Sequence, residues 1–237
     1  MAETYQFALP LVAASQAQKH VTVNEALARL DAVAQLRVVS STISAPPPMP
    51  QDGAAYLVPA GATADWAGQT GGLALAANGG WEFISPRAGW KLWDESTGEW
   101  QMFDGQQWVA GAEVIGATGA ASVSRIVEIS HTLAGGASST VAAAIPALTS
   151  VTGVTARVTS VLEGTAATWR LGVPGSDDRY GNSLGKALNS YCIGLSGAPV
   201  AYYADTDIVI SGEGGNLSGG AVTIAVHLKG IQPPRAI

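Results

Sequence analysis

The chain is expected to be mainly β: a short N-terminal helix, a small Trp-rich antiparallel β domain, and a C-terminal β-sandwich of jelly-roll type. Three observations point there. Charged residues make up only 13% of the 237 positions while Gly reaches 29 and Pro 12, a turn-rich composition with enough apolar residues to bury cores. Two Asx-Gly dipeptides, Asn78-Gly79 and Asp104-Gly105, each sit between apolar runs, and they supply the positive backbone angles that tight hairpins need. Beyond residue 121 the texture becomes Val/Ile/Thr/Ala with strict alternation, the period of strands buried on one face.

The N-terminal segment, residues 1–45, carries the one helical signal. Thr22 and Glu25 have capping-box spacing ahead of good helix formers, which predicts a helix over about 23–36. Val23, Leu27, Leu30 and Ala34 recur on it at helical intervals and form one stripe. A helix this short is marginal alone in water. The stripe is therefore expected to bury against the chain's own β module or against copies of itself in a short trimeric bundle, with Val23, Leu27 and Leu30 as attachment and oligomerisation residues. Pro46-Pro47-Pro48-Met49-Pro50 fits neither helix nor central strand and reads as a stiff spacer.

The small β domain is assigned to residues 46–110. Hairpin signals run 73–77, Asn78-Gly79, 80–84, and then 99–103, Asp104-Gly105, 106–109. Residues 89–94 and 99–103 flank a Ser96-Thr97-Gly98 turn. Six of the seven Trp, at 66, 81, 90, 93, 100 and 108, fall here. They either fill a core short of aliphatics or form a sugar platform, since each ring has an apolar face and an edge donor. Residues 111–121 read as a linker. In 122–237, Val154, Ala156, Val158 and Leu162 oppose Thr155, Arg157 and Thr159, and Val222, Ile224, Val226 and Leu228 oppose Thr223, Ala225, His227 and Lys229. Further strands near 123–130, 138–144, 167–173, 190–195, 200–204 and 207–211 bring the count to about eight, as a sandwich or jelly roll requires.

Composition also excludes function classes. A formal charge of -6 with no Lys/Arg run repels a phosphate backbone, so no nucleic-acid partner is expected. No apolar run approaches 20 residues, so no membrane insertion is expected. The stretch from Phe7 to Ala17 resembles a signal-peptide core, but Glu3 precedes it and Pro10 interrupts it. The expectation is a protein made in the cytoplasm that leaves inside a particle. Cys192 is the single cysteine and reads as a buried structural thiol. His20, His131 and His227 are scattered and give neither a nucleophilic triad nor zinc spacing. No glycine-rich phosphate loop is present; no metal, cofactor or catalytic residue is assigned.

One segment concentrates polar and aromatic groups: Trp169-Arg170 and the loop Gly175 to Ser183, with Asp177, Asp178, Arg179, Tyr180 and Asn182. Carboxylates and amides bond sugar hydroxyls and an aromatic face covers the apolar side of a ring. These residues, with Tyr202, Tyr203 and Asp205, are the carbohydrate-binding candidates, and Tyr191 is a further one. The plain alternative is an Asp-rich turn bonded to its own backbone. A glycosidase would need Asp177 or Asp178 paired across a bond with Asp205, Asp207 or Glu213.

The first half has a further signature. Leu9-Pro10, Ala17-Gln18-Lys19-His20-Val21-Thr22, Asn24-Glu25-Ala26-Leu27, residues 52–59 (Asp-Gly-Ala-Ala-Tyr-Leu-Val-Pro), Trp66-Ala67-Gly68, Gly80-Trp81, Pro86, Gly89 and residues 103–108 (Phe-Asp-Gly-Gln-Gln-Trp) follow in order. Over roughly 5–110 the chain thus resembles a domain family of unknown function from alphaproteobacterial phages and the related gene transfer agents, associated there with tail fibres and host attachment. The resemblance implies a virion fibre subunit, usually a homotrimer, whose N-terminal region meets other tail or baseplate proteins. It names no catalytic residues. The sequence reading is accordingly a non-enzymatic fibre whose C-terminal domain binds host surface polysaccharide, with a ligand-free structural adaptor or a polysaccharide depolymerase as the alternatives.

Overall fold

The computed structural model describes residues 3–12 and 19–236. Residues 13–18, including Ala17 and Gln18 of the resemblance and the end of the Phe7–Ala17 stretch, lie outside the described residues, as does the side chain of His20. The fold is mainly β with one N-terminal α-helix. It divides into two compact units, Met1–Ala117 and Thr118–Ile237.

Helix α1 spans Lys19–Ala34, so it begins before the Thr22–Glu25 spacing, which falls inside it and does not cap it. It stops short of residue 36 because Leu36 and Val38 turn into the core and Arg37–Val38 form strand β1. The docked face also differs from the expected stripe. Asp31 and Ala32 are buried and Leu27 and Ala28 half-buried, whereas Val23, Leu30 and Ala34 are exposed. Of these, Ala32 joins the core cluster that holds Leu36, Val38, Ala55 and Leu57. A buried carboxylate secures the chain on that side: Asp31 accepts from Thr4 Oγ1 at 2.7 Å, Gln6 N at 2.7 Å and Phe7 N at 2.8 Å.

The first unit holds β2 (Ala55–Leu57), β3 (Leu73–Ala77), β4 (Gly80–Ile84), β5 (Lys91–Asp94), β6 (Glu99–Phe103), β7 (Trp108–Ala110) and β8 (Ala112–Ile115). Sheet order is β2-β3-β4 in one sheet and β1-β5-β6-β7 in the other. The β1–β5 pairing is parallel, a departure from an all-antiparallel domain. Both hairpin dipeptides turn the chain: Asn78 and Gly79 have φ of 52° and 76°, and Asp104 Oδ1 accepts from the Gln106 and Gln107 amides. Every residue of β2 is buried, because Ala55 and Leu57 face α1 and β1 residues while Tyr56 meets Val58, Trp66 and Ala74 on the other side. The Pro46–Pro50 stretch is therefore a loop within this unit and not a spacer between units: Val39 N donates to Ala55 O, and Leu57 N to Ser40 O, across it. Trp66 is fully buried and Trp81, Trp90 and Trp108 pack on the core, whereas Trp100 is 48% exposed. The stretch read as a linker contains β8 and the first residue of the next strand.

The second unit has eight strands: β9 (Ala121–Thr132), β10 (Ser138–Ile145), β11 (Thr149–Gly164), β12 (Thr168–Val173), β13 (Ser176–Leu184), β14 (Tyr191–Tyr202), β15 (Thr206–Glu213) and β16 (Leu217–Gln232). They form two antiparallel sheets, β14-β11-β16-β9 and β10-β15-β12-β13. Counted from the first strand of the unit the orders are 6-3-8-1 and 2-7-4-5, the interleaved Greek keys of a jelly roll. The expected alternation fills its core. Val154, Ala156, Val158, Val222, Ile224 and Val226 from one sheet share a cluster with Ile145, Trp169, Leu171, Ile208 and Ile210 from the other. At Gly194 the two sheets come so close that a Cβ would stand 2.1 Å from Tyr180 O.

Candidate functional site

The segment singled out in the sequence is not a loop. Residues 176–184 form β13, the edge strand that pairs with β12 around Pro174-Gly175. An edge strand tolerates the polar run that made it look irregular. Trp169 is removed as a sugar platform: it is fully buried on β12, and its Nε1 donates to Gly185 O at 2.9 Å. Tyr180 is buried too, its hydroxyl 2.8 Å from that of Tyr202, and burial, then that bond, pushes its phenol well above the ordinary range. A Tyr180 replacement would thus disturb packing, so the adjacent triplet Asp178-Arg179-Tyr180 is not a surface unit. Asp178, Arg179 and Asn182 are exposed.

Arg170 is spent within its own sheet, between β15 and β13. Its Nε lies 2.8 Å from Glu213 Oε1 and its Nη1 3.5 Å from Asp177 Oδ2. Glu213 also accepts from Thr168 Oγ1 at 2.6 Å and Ser183 N at 2.8 Å. The bond from Thr168 and then that from Arg170 hold its carboxyl below the ordinary value, the reverse of what a general acid needs. Because the folded value is depressed, this network stabilises above the unfolded Glu value, and that contribution is lost as pH falls through the folded value. A thermal-unfolding series below about pH 4.5 is expected to show the loss, and Glu213→Gln to flatten it.

Asp205 and Asp207 brace the neighbouring strand. Asp207 Oδ1 accepts from Ala143 N at 2.8 Å, where β10 shifts register against β15, and Asp205 Oδ1 from Ala147 N at 2.8 Å, just past the end of β10. Tyr203 is 82% exposed. His131 Nε2 lies 2.7 Å from Ser139 Oγ, and Ser139 is 3% exposed and also accepts from Ala134 N, so this pair secures the end of β9. Burial pushes the Cys192 thiol up. Among the described residues no three His, Cys, Asp or Glu side chains gather as a metal group, and no helix is long and apolar enough to cross a membrane.

An open surface with binding geometry is the outward face of β14-β11-β16-β9. Register brings three rows across it: Tyr191, Arg157, Thr223 and Ser130; then Ile193, Thr155, Ala225 and Glu128; then Leu195, Gly153, His227 and Ile126. Ala225 and the threonines make a low floor, while Tyr191 (62% exposed), Ile193 (65%), Arg157 and Glu128 rise around it. The result is a shallow depression of about 470 Å³. Arg157 is held in place: Nη1 donates to Asn189 O at 3.1 Å, and its Cζ stands 5.2 Å from the Tyr191 ring centroid, a cation–π distance. His227 Nε2 lies 3.3 Å from Thr155 Oγ1.

Of the sequence candidates only Tyr191 falls here. Arg157, Thr155, Thr159 and Thr223 were already legible as the polar side of alternating strands. Glu128 carried no such signal. What alternation cannot give is the pairing of β14 against β11 that places Tyr191 over Arg157.

A family model described as a protein of unknown function (DUF2793) matches residues 23–109. The similarity covers most of the first unit and stops before the jelly roll. No curated protein matches the chain.

Proposed function

We propose that this chain is a fibre subunit of a phage or gene transfer agent particle, homotrimeric, joined to other tail or baseplate proteins through its N-terminal region, with the jelly roll binding host surface polysaccharide. The supporting observation is the depression around Tyr191, Arg157 and Glu128. An exposed ring next to hydroxyls, a guanidinium and a carboxylate is the donor and acceptor set that recognises hydroxyl-rich rings. The fold adds weight by analogy, since jelly rolls recur in capsid and lectin domains. Shallow sites bind weakly one at a time, and several tips per particle turn that into firm attachment through effective concentration.

Tyr191→Ala in the full chain is expected to weaken binding to host polysaccharide about tenfold, roughly 1.4 kcal/mol, with unchanged thermal unfolding. A chain that binds no polysaccharide would be a structural adaptor, and release of new reducing ends would make it a depolymerase. Leu30, exposed on α1, is the position at which to test assembly: Leu30→Gln is expected to leave the fold intact and lower the molar mass seen by light scattering. An unchanged mass would take the helix out of the trimer contact.

A further inference from the structure

Resting on that reading, we infer that the depression selects acidic polysaccharides: Arg157 takes the carboxylate of a uronic-acid-type sugar, and Glu128 receives hydroxyls of the neutral residue beside it. Among the side chains lining the depression, Arg157 is the one cation and Glu128 the one anion. Arg157 is pre-set for such a task. Tyr191 covers one side of its guanidinium and Asn189 O takes one of five donors, so little rotamer freedom is left to lose on binding. A planar fork of this kind meets a carboxylate through two parallel hydrogen bonds, stronger than those to a neutral hydroxyl.

The spacing limits where charge is accepted. Glu128 sits two strands and one row away from Arg157, about 12 Å by strand separation and rise. A carboxylate at the Glu128 end would meet a like charge, whereas hydroxyls donate to it. The preferred ligand therefore alternates acidic and neutral sugars. Long-range repulsion does not oppose this. Residues 118–237 carry equal numbers of acidic and basic side chains, which leaves the formal charge of -6 in residues 1–117.

The test uses the full chain and a panel of purified bacterial polysaccharides, each native and after carboxyl reduction, which turns uronates into neutral sugars without shortening the chain. Binding is expected to concentrate on acidic members and to fall at least tenfold on reduction. Arg157→Gln should lose the same factor on native acidic polymers and nothing on reduced ones. Arg157→Lys should fall between, because charge remains and the fork does not. Unfolding curves that coincide with the parent's keep these comparisons about binding. Equal binding to native and reduced polymers overturns the acidic preference and leaves polysaccharide binding standing. If no member of the panel binds, or if binding is indifferent to Tyr191→Ala and Arg157→Gln together, both this inference and the site behind it fail.

Discussion

Trp169→Ala is expected to destabilise the C-terminal unit by about 4 kcal/mol, within the range for removing a large buried aromatic side chain. Trp169 is fully enclosed among the β-sheet residues of the jelly-roll core, and its indole donor is satisfied by Gly185 O. The replacement empties an indole-sized space and leaves that carbonyl without its partner. Urea unfolding followed by circular dichroism measures the effect. A protein of parental stability that had lost polysaccharide binding would contradict the core assignment and return Trp169 to the ligand surface.

Asp94→Ala should do comparable damage to the first unit, about 3 kcal/mol or more, the scale for stranding several buried donors. Asp94 is fully buried at the end of β5. It accepts from Ser41 Oγ, from Ser96 N at 2.9 Å and Ser96 Oγ at 2.7 Å, and from Gln101 Nε2 at 3.2 Å. One carboxylate thus joins the segment after β1, the turn into β6, and β6 itself. Tryptophan fluorescence makes the loss visible, because six of the seven Trp lie in this unit. A midpoint within experimental error of the parent's would show that the network adds nothing to stability.

How far the sequence was readable follows from what each signal encodes. Alternation depends on one strand and one buried face, so the sides of β11 and β16 were legible, as were the Asn78-Gly79 and Asp104-Gly105 turns. The helix was legible as an element but not in its contact face. Its apolar stripe competes with Ala32, which packs with Leu36, Val38, Ala55 and Leu57, and with Asp31, whose carboxylate is met by Thr4 and Gln6 returning from the N-terminus. Segment 176–184 was misread because its chemistry is that of a loop while its place, paired on one edge to β12, is that of a strand. Trp169 and Tyr180 went the same way: an aromatic residue beside charges looks like a platform until the opposite sheet covers it. The outward depression needed three long-range strand pairings, and no local pattern states them.

The most direct measurement is amide chemical-shift mapping of the labelled full chain titrated with oligosaccharides cut from an acidic host-surface polysaccharide. Perturbations are expected on the outward rows, at Glu128, Thr155, Arg157, Tyr191, Ile193 and Thr223, with the β12–β13 hairpin silent. Shifts centred on Asp178, Arg179 and Asn182, or no saturable shifts in the jelly roll, would contradict this account.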